Sequence, residues 1–274
     1  MKKTLLKIAI GILCIVMACI SLIPFMVLLK LAFNTPMSLT DNSFFNVGKV
    51  TADNFANAFA KSNLLRGMIN SAIITFWSLL LTVLFSASAS YEIARFPSKL
   101  NKMAYGLFIF SMAIPTIICT VPLYIFMRHI GAINTLWGMI LLNTATSMPF
   151  AVFLYTSFIK TMSRDVEEAA RIDGCTWFSA FWRILFPVLK PITSTVILLN
   201  AITFWNEYGK AVFFLQKQNY YTIPLSISTF IQKYSANWEL MSAAALVAMV
   251  PAVAVFLSFQ KYYIKGLSAG AVKG

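Results

Sequence analysis

Charged residues are scarce in this chain of 274 residues. Asp, Glu, Lys and Arg make up 11% of it, whereas 59% is hydrophobic and the mean hydropathy is +0.77. A soluble globule of this size needs more polar side chains to cover its surface. The composition therefore excludes an ordinary soluble domain and predicts a membrane protein.

The residue types that carry most enzyme chemistry are also few. His129 is the single histidine, and the four cysteines form no C-x-x-C pair. No G-x-x-x-x-G-K-[ST] phosphate loop occurs, and no Ser/His/Asp set can be assembled. We therefore expect no catalytic residue, no metal and no cofactor in this chain, and no disulfide framework.

Acidic residues number nine against 22 Lys and Arg, for a formal net charge of +13. A chain this basic could bind nucleic acid. Here, however, the cations lie at the ends of apolar runs, where they anchor topology and meet anionic lipid. We therefore predict membrane lipid as a partner and no nucleic acid.

Six apolar runs are each long enough to cross a bilayer, which takes about 20 residues. Within a single domain, 1–274, they predict transmembrane helices at about 8–33, 68–92, 104–127, 136–159, 191–215 and 242–263. Pro115 and Pro122 predict a bend in the third helix. The run over 5–33 is too long for a cleavable signal and lacks a small-residue cleavage site, so we expect the first span to be retained.

The cations concentrate on one alternating set of flanks. The amino end and residues 95–102, 160–190 and 261–273 together hold 14 of the 22. Cytoplasmic flanks carry an excess of Lys and Arg. The pattern therefore predicts that these segments and both termini lie in the cytoplasm.

A polar segment at 160–190, between the fourth and fifth runs, is the most informative part of the chain. Ser163 can cap a helix whose first turn carries Asp165 and Glu167, and Gly174 supplies the left-handed residue that ends such a helix. Thr176 can cap a second helix. The pattern predicts a helix, a tight turn and a second helix lying flat against the membrane.

Both predicted helices are amphipathic. The second should bury one broad apolar face formed by Trp177, Phe178, Phe181, Trp182 and Leu185. The side chains predicted to face water are Glu168, Arg171 and Asp173. Such a segment is either a docking surface for a soluble protein or a pair of lipid-surface helices with no partner.

The polar segment resembles the signature cytoplasmic loop of bacterial ATP-binding-cassette importer permeases. The resemblance rests on EAA at Glu168–Ala170, on Gly174 at a fixed distance after it, and on Ile184 and Pro187. Agreement continues along nearly the whole chain, in NFANAF (54–59), NS (70–71), SYEIARF (90–96), WNEY (205–208) and TIPL (222–225). The extended pattern is similar to the carbohydrate-uptake branch, and within it to the second maltose permease.

This resemblance implies an all-α type I importer permease of six spans, with a coupling helix between the fourth and fifth. It implies a heterodimer with a second, non-identical permease, two copies of an ATPase that bind ATP and Mg, an extracytoplasmic solute-binding protein and a sugar substrate. The chain would then be a transport subunit of a bacterial cytoplasmic membrane and not an enzyme. The residues expected to couple to the ATPase are Glu168, Ala169, Ala170, Arg171, Asp173 and Gly174.

Polar side chains inside apolar spans mark a candidate translocation pathway. At about 1.5 Å per residue, Asn206 and Glu207 should lie about 23 Å into the fifth span. The candidate pathway residues are Asn206, Glu207, Trp205 and Tyr208, and a second patch in the fourth span formed by Asn143 and Thr144 with Thr146 and Ser147. Their alternative role is hydrogen bonding between helices, or, for the aromatic residues, anchoring at the interface.

A polar and aromatic loop at 216–241 lies on the opposite side from the predicted hairpin. The family resemblance implies that this loop meets the solute-binding protein, with Gln232, Tyr234 and Trp238 as the candidate contacts. The alternative is a loop held at the membrane surface by its aromatic side chains.

Three alternatives stay open at this point. Glu207 could be the proton carrier of a secondary transporter, although the chain shows no internal repeat. The solute of an ATP-driven importer could be of the glycerol-phosphate type. A membrane scaffold would need no ATPase partner at all.

Overall fold

The computed structural model describes residues 2–35, 50–172, 174–231 and 237–271. These residues form helices joined by turns, with one isolated bridge between Asn34 and Val50. The helices are α1 (Lys2–Phe33), α2 (Asp53–Ser62), α3 (Leu64–Arg95), α4 (Lys99–Met112), α5 (Thr120–His129), α6 (Leu136–Lys160), α7 (Asp165–Ile172), α8 (Trp177–Val188), α9 (Lys190–Trp205), α10 (Ala211–Phe214), α11 (Ile223–Ser228) and α12 (Trp238–Ala271). A helical fold satisfies every backbone group internally, as the membrane interior requires.

The chain divides into two compact units. Unit 1 comprises Met1–Leu65 and Ser226–Val250, and unit 2 comprises Arg66–Leu225 and Pro251–Gly274. The expectation of a single transmembrane domain over 1–274 stays a prediction.

In unit 1, Asn54 ties α2 to the end of α1. Its Nδ2 donates to the carbonyl oxygens of Ala32 at 2.9 Å and of Asn34 at 2.8 Å. The α1 helix itself is apolar, and no residue of its most apolar 18-residue stretch is buried within the described part of the chain. Such a helix offers its whole circumference to lipid or to another chain.

One hydrophobic core of unit 2 lies where α3, α6, α8 and α9 meet. Its buried members are Val83, Ala87, Tyr91, Ala151, Tyr155, Ile159, Phe181, Leu185, Leu189 and Val196. Two hydrogen bonds join helices within it: Ser90 Oγ donates to the Val152 carbonyl at 3.1 Å, and the Tyr155 hydroxyl lies 3.0 Å from Thr193 Oγ1. The α7–α8 hairpin (165–188) therefore rests on a core shared by three long helices.

Side chains near the beginning of α3 hold a loop by its backbone. Asn70 Nδ2 donates to the carbonyl oxygens of Asn219 at 3.0 Å and of Tyr221 at 2.9 Å. Ser71 Oγ accepts the N–H of Ile223 at 2.9 Å. Asn70 and Ser71 are buried, so their polar atoms are satisfied by the loop backbone, and the loop is tied to α3.

Four of the described helices are long and apolar enough to cross a membrane: Leu6–Phe33, Leu64–Arg95, Leu136–Lys160 and Trp238–Ser258. A fifth candidate is the pair Trp177–Val188 and Lys190–Trp205, which is bent by 73° at the break. Pro191 lies in the first turn of α9, where a missing backbone N–H costs little, and Pro187 lies in the last turn of α8, just before the break. The bend separates α8, which belongs to the hairpin, from α9.

The predicted third span, 104–127, is interrupted and not simply bent. α4 ends at Met112, and α5 begins at Thr120. Between them, the N–H groups of Ile118, Cys119 and Thr120 each bond a carbonyl three residues back, beginning at Pro115. Pro115 breaks the helix because it lacks an N–H and its ring clashes with the preceding turn, whereas Pro122 lies in the first turn of α5 and is tolerated there.

The predicted fifth span, 191–215, also ends early, at Trp205. Asn206 Nδ2 donates to the Ile202 carbonyl at 3.0 Å, and Glu207 Oε1 accepts the N–H of Lys210 at 2.8 Å. These side chains compete with the helical backbone bonds and so close the helix. Asn206 and Glu207 therefore follow the end of a helix, whereas the sequence predicted a continuous helix there; their depth in the membrane stays a prediction.

Candidate functional site

The α7–α8 hairpin forms as its capping residues predict. Ser163 Oγ accepts the N–H of Asp165 at 3.2 Å, and Thr176 Oγ1 accepts the N–H of Ser179 at 3.2 Å. Gly174 has a φ of +84°, a left-handed conformation that glycine adopts without strain. The N–H of Cys175 bonds the Ala170 carbonyl at 3.0 Å and so closes the end of α7.

One side of the hairpin presents an acid and two large apolar side chains to the surroundings. Glu168 is exposed, Ile172 is 87% exposed and Phe178 is 75% exposed. Phe178 was expected on one apolar face with Phe181, Trp182 and Leu185. Within the chain it is exposed whereas Phe181 and Leu185 are buried, and its ring lies 6.3 Å from that of Trp182. Phe181–Leu185 is π-helical, with the N–H of Phe186 bonded to the Phe181 carbonyl, and its wider turn follows Phe178.

The opposite side of the hairpin is held by a buried ion pair that the sequence did not indicate. Arg95 Nη2 lies 2.6 Å from Glu167 Oε1, and Arg95 Nε donates to the same oxygen at 2.8 Å. Arg95 Nη1 also donates to the Met162 carbonyl at 3.3 Å. The side chains are 5% and 4% exposed, so the pair is shielded from solvent. Arg95 ends α3 and Glu167 begins α7, where each charge complements its own helix dipole.

Aromatic contacts accompany the ion pair. The rings of Tyr91 and Phe181 lie 4.9 Å apart, and those of Phe96 and Trp177 lie 4.9 Å apart with their planes at 81°. Edge-to-face and tilted arrangements of this kind are the favoured ones for aromatic pairs. The end of α3 thus contacts both helices of the hairpin.

The structure places the remaining residues that were expected to couple to an ATPase in different ways. Ala170 is buried at 5% exposure and packs inward. Ala169 and Arg171 belong to α7, but their side chains lie outside the described part, and Asp173 lies outside the described residues altogether. Glu168 and Gly174 are therefore the two whose placement matches the expectation from the sequence.

A second group of polar residues gathers where α9 ends. Glu207 Oε2 lies 3.0 Å from Lys210 Nζ, and the same ammonium donates to Thr146 Oγ1 of α6 at 3.1 Å. The structure thus brings the fifth-span residues to the fourth-span patch through Thr146. Lys210 was not among the predicted pathway residues, although a lysine three residues after an acid in an apolar stretch indicates an ion pair.

The other candidate pathway residues do not join this group. Asn143 and Thr144 are buried, and their side-chain polar atoms make no hydrogen bond within the described part of the chain. Tyr208 is 44% exposed. Trp205 is buried and lines an apolar groove of about 500 Å³.

Of the three candidate contacts for a solute-binding protein, the structure describes one. Gln232 and Tyr234 lie outside the described residues. Trp238 is the first residue of α12 and is 48% exposed. Its exposure is compatible with either role that the sequence left open.

This helical fold is shared with solved transporter chains. One is a chain of a bacterial ABC transporter involved in the import of the acidic polysaccharide alginate, with a TM-score of 0.83, 18% identity and coverage of 95% of this chain and 97% of that one. Another comes from the bacterial alginate ABC transporter in complex with an alginate pentasaccharide-bound periplasmic protein, with a TM-score of 0.69, 18% identity and 93% coverage of each chain. The chain therefore shares the fold of these ABC transporter chains.

The chain belongs to the family of binding-protein-dependent transport system inner membrane components, whose profile matches residues 83–269. It is 41% identical over 260 residues to the melibiose/raffinose/stachyose import permease protein of Bacillus subtilis, covering 94% of each chain. The chain is thus a multi-pass membrane transport component and not an enzyme. The family resemblance in the sequence is confirmed.

The ion pair of Glu207 makes a stability prediction. Glu207→Gln keeps an acceptor for the Lys210 N–H but loses the charge pair, so it should cost about 0.5–1.5 kcal/mol, whereas Glu207→Ala loses both and should cost about 1.5–3 kcal/mol. The measurement is thermal unfolding in detergent, followed by tryptophan fluorescence. Gln218→Ala, at an exposed position, is the control and should melt like the unaltered chain. Equal melting of all three variants would contradict a structural role for the pair.

Proposed function

We propose that this chain is one of two permeases in an ATP-driven, binding-protein-dependent importer of uncharged di- and oligosaccharides. The observation that carries the proposal is the correspondence over 94% of both chains with a relative named for melibiose, raffinose and stachyose import. Sugars of that kind are neutral and rich in hydroxyl groups. The polar residues near the end of α9 suit such a solute.

Charge at that group argues against an acidic solute. Glu207 and Lys210 neutralise each other across 3.0 Å, so the group presents donors and acceptors with no net charge. A site for a phosphate or a polyuronate would need an excess of cationic groups. The alginate transporters share the fold at 18% identity, which supports no inference about their substrate for this chain.

Six crossings follow if α9 and the α4–α5 pair each make one. The four long helices supply four, α9 supplies a fifth, and α4 with α5 supplies the sixth. The cations at the ends of α3 and α6 favour an arrangement with the α7–α8 hairpin and both termini in the cytoplasm. We place the chain accordingly in a bacterial inner membrane.

The hairpin is the docking surface for the ATPase in this proposal. Exposed apolar side chains such as Ile172 and Phe178 are rare on a surface that meets water alone and are typical of protein contacts. Glu168 beside them would pair with a basic residue of the ATPase. ATP and Mg bind to that separate chain, of which two copies act on the two permeases.

The other partners meet different parts of the chain. A solute-binding protein would contact the 216–241 loop, including Trp238 and, outside the described residues, Gln232 and Tyr234. A second, non-identical permease would complete the pathway beside Asn206, Glu207 and Tyr208. When the ATPases close on ATP, the hairpins would move and the pathway would open toward the binding protein.

Transport by the reconstituted complex tests the proposal. Proteoliposomes holding both permeases and the ATPase, supplied with the binding protein and internal ATP, should accumulate labelled raffinose. An uncoupler should leave uptake unchanged at constant ATP, and glycerol 3-phosphate or an alginate pentasaccharide should not compete. Uptake that needs no ATP and collapses with the uncoupler would instead support proton coupling through Glu207. Competition by the phosphate ester would move the substrate class to glycerol-phosphate-type solutes.

Charge reversal at Glu168 tests the docking surface. Glu168→Lys should leave membrane insertion intact but lower raffinose uptake by more than about tenfold, because a like charge placed across an interface costs several kcal/mol. Stimulation of ATP hydrolysis by the loaded binding protein should fall in parallel. The control is Lys99→Glu, a reversal of the same size at an exposed residue outside the hairpin. Normal uptake by Glu168→Lys would remove the hairpin from the docking role.

Orientation can be measured by thiol labelling. In a chain whose four cysteines are replaced, Lys99→Cys should react with a membrane-impermeant reagent only in opened cells. Gln218→Cys, in the loop after α10, should react in intact spheroplasts. Both positions are exposed, so access depends on the side of the membrane. The reverse pattern would invert the proposed topology.

A further inference from the structure

The buried Arg95–Glu167 ion pair connects two parts of the chain that are far apart in sequence. The bonded side chains are 72 residues apart. The hairpin is continuous in the chain with α6 on one side and with α9 on the other, but it meets α3 through side-chain contacts. The Arg95 Nε–H donates to Glu167 Oε1, and Nη2 lies 2.6 Å from the same oxygen as an ion pair without a hydrogen bond. Nη1 donates to the Met162 carbonyl, and Arg164 Nη2 donates to the Arg95 carbonyl at 3.3 Å.

Stability alone is a poor reason for this pair. Two charges that leave water lose hydration energy that offsets most of their attraction, and an apolar pair of similar volume often holds two segments at least as well. An arginine fork adds direction, since its N–H groups bond a carboxylate in one geometry. The aromatic contacts Tyr91–Phe181 and Phe96–Trp177 contribute area but constrain rotation less.

The other end of α3 carries a second polar connection. Asn70 bonds the carbonyls of Asn219 and Tyr221, and Ser71 bonds the N–H of Ile223. At a rise of about 1.5 Å per residue, Asn70 and Arg95 lie about 37 Å apart along the axis. No proline interrupts α3 between them. One unbroken helix therefore bonds the hairpin at its last turn and the 219–223 loop near its beginning.

We propose that Arg95 is a positioning residue through which movement of the hairpin displaces α3, and that α3 carries this displacement to the 219–223 loop. The inference rests on the proposed function, because it assigns the hairpin to the ATPase and the loop to the side that receives the binding protein. The same connection works in reverse. A binding protein that alters the 219–223 loop would act through α3 and Arg95 on the hairpin, and so on ATP hydrolysis.

The test compares two paired variants in the reconstituted complex. Arg95→Met with Glu167→Met removes both charges and leaves neither buried alone, so the complex should assemble and keep its basal ATP hydrolysis. The stimulation of hydrolysis by loaded binding protein should fall by roughly 5- to 150-fold, the range of typical coupling between sites. The exchanged pair, Arg95→Glu with Glu167→Arg, should recover part of that stimulation. A merely structural role would lower assembly and basal hydrolysis together.

Asn70→Ala extends the test to the far end of α3. Asn70 bonds the 219–223 loop, so this variant should also lower the stimulation of hydrolysis by loaded binding protein, while basal hydrolysis persists. Glu92→Gln, an exposed acid in the last turn of α3, is the matched control and should behave like the unaltered chain. If the paired Met variant does not assemble, Arg95→Lys is measured instead. The quantity compared is again the ratio of stimulated to basal ATP hydrolysis, because lysine keeps the charge but loses the guanidinium N–H groups.

The outcomes separate the two proposals. Full stimulation of hydrolysis in the paired Met variant overturns the role of Arg95, provided that the unaltered complex imports raffinose. If the paired variant does not assemble, full stimulation in Arg95→Lys has the same meaning. Loss at Arg95 with no effect of Asn70→Ala overturns transmission along α3. Failure of the unaltered complex to import sugar with ATP overturns the proposed function itself, whatever the variants do.

Discussion

One buried ion pair sets the direction in which the α7–α8 hairpin meets α3. Hydrophobic contacts of Phe181 and Leu185 pack the second helix of the hairpin against the core, but such contacts are non-directional. Arg95 and Glu167 add the direction, because a buried charge must meet its partner and cannot turn to water. The pair therefore orients the first turn of α7 toward the end of α3.

Several sequence features shared with the permease family serve to bond the backbone. Asn54 holds the end of α1, and Asn70 and Ser71 hold the loop before α11. Each bonds backbone groups of another segment through a buried polar side chain. In a chain with so few charged residues, these amides and hydroxyls, together with the ion pairs of Glu167 and Glu207, supply directional contacts that apolar packing lacks.

The polar residues near the end of α9 show how context changes the meaning of an acid. Read along the sequence, Glu207 is an ionisable group deep in an apolar span. In the fold it ends a helix and neutralises Lys210, which also bonds Thr146. That arrangement suits a pathway for uncharged sugars better than a proton carrier, whose carboxylate would have to change its charge.

Composition and local pattern by themselves determined that the chain is a helical membrane protein, and that 160–190 holds a capped hairpin turning at Gly174, because hydropathy and capping act between near neighbours. Pro115 predicted a bend where the structure has an interruption, and the end of α9 at Trp205 was not predicted. The pattern also predicted that Glu168 faces water, and it is exposed. Only the tertiary structure decided the role of Glu167, because its partner is Arg95, 72 residues away, a contact that no local pattern can contain.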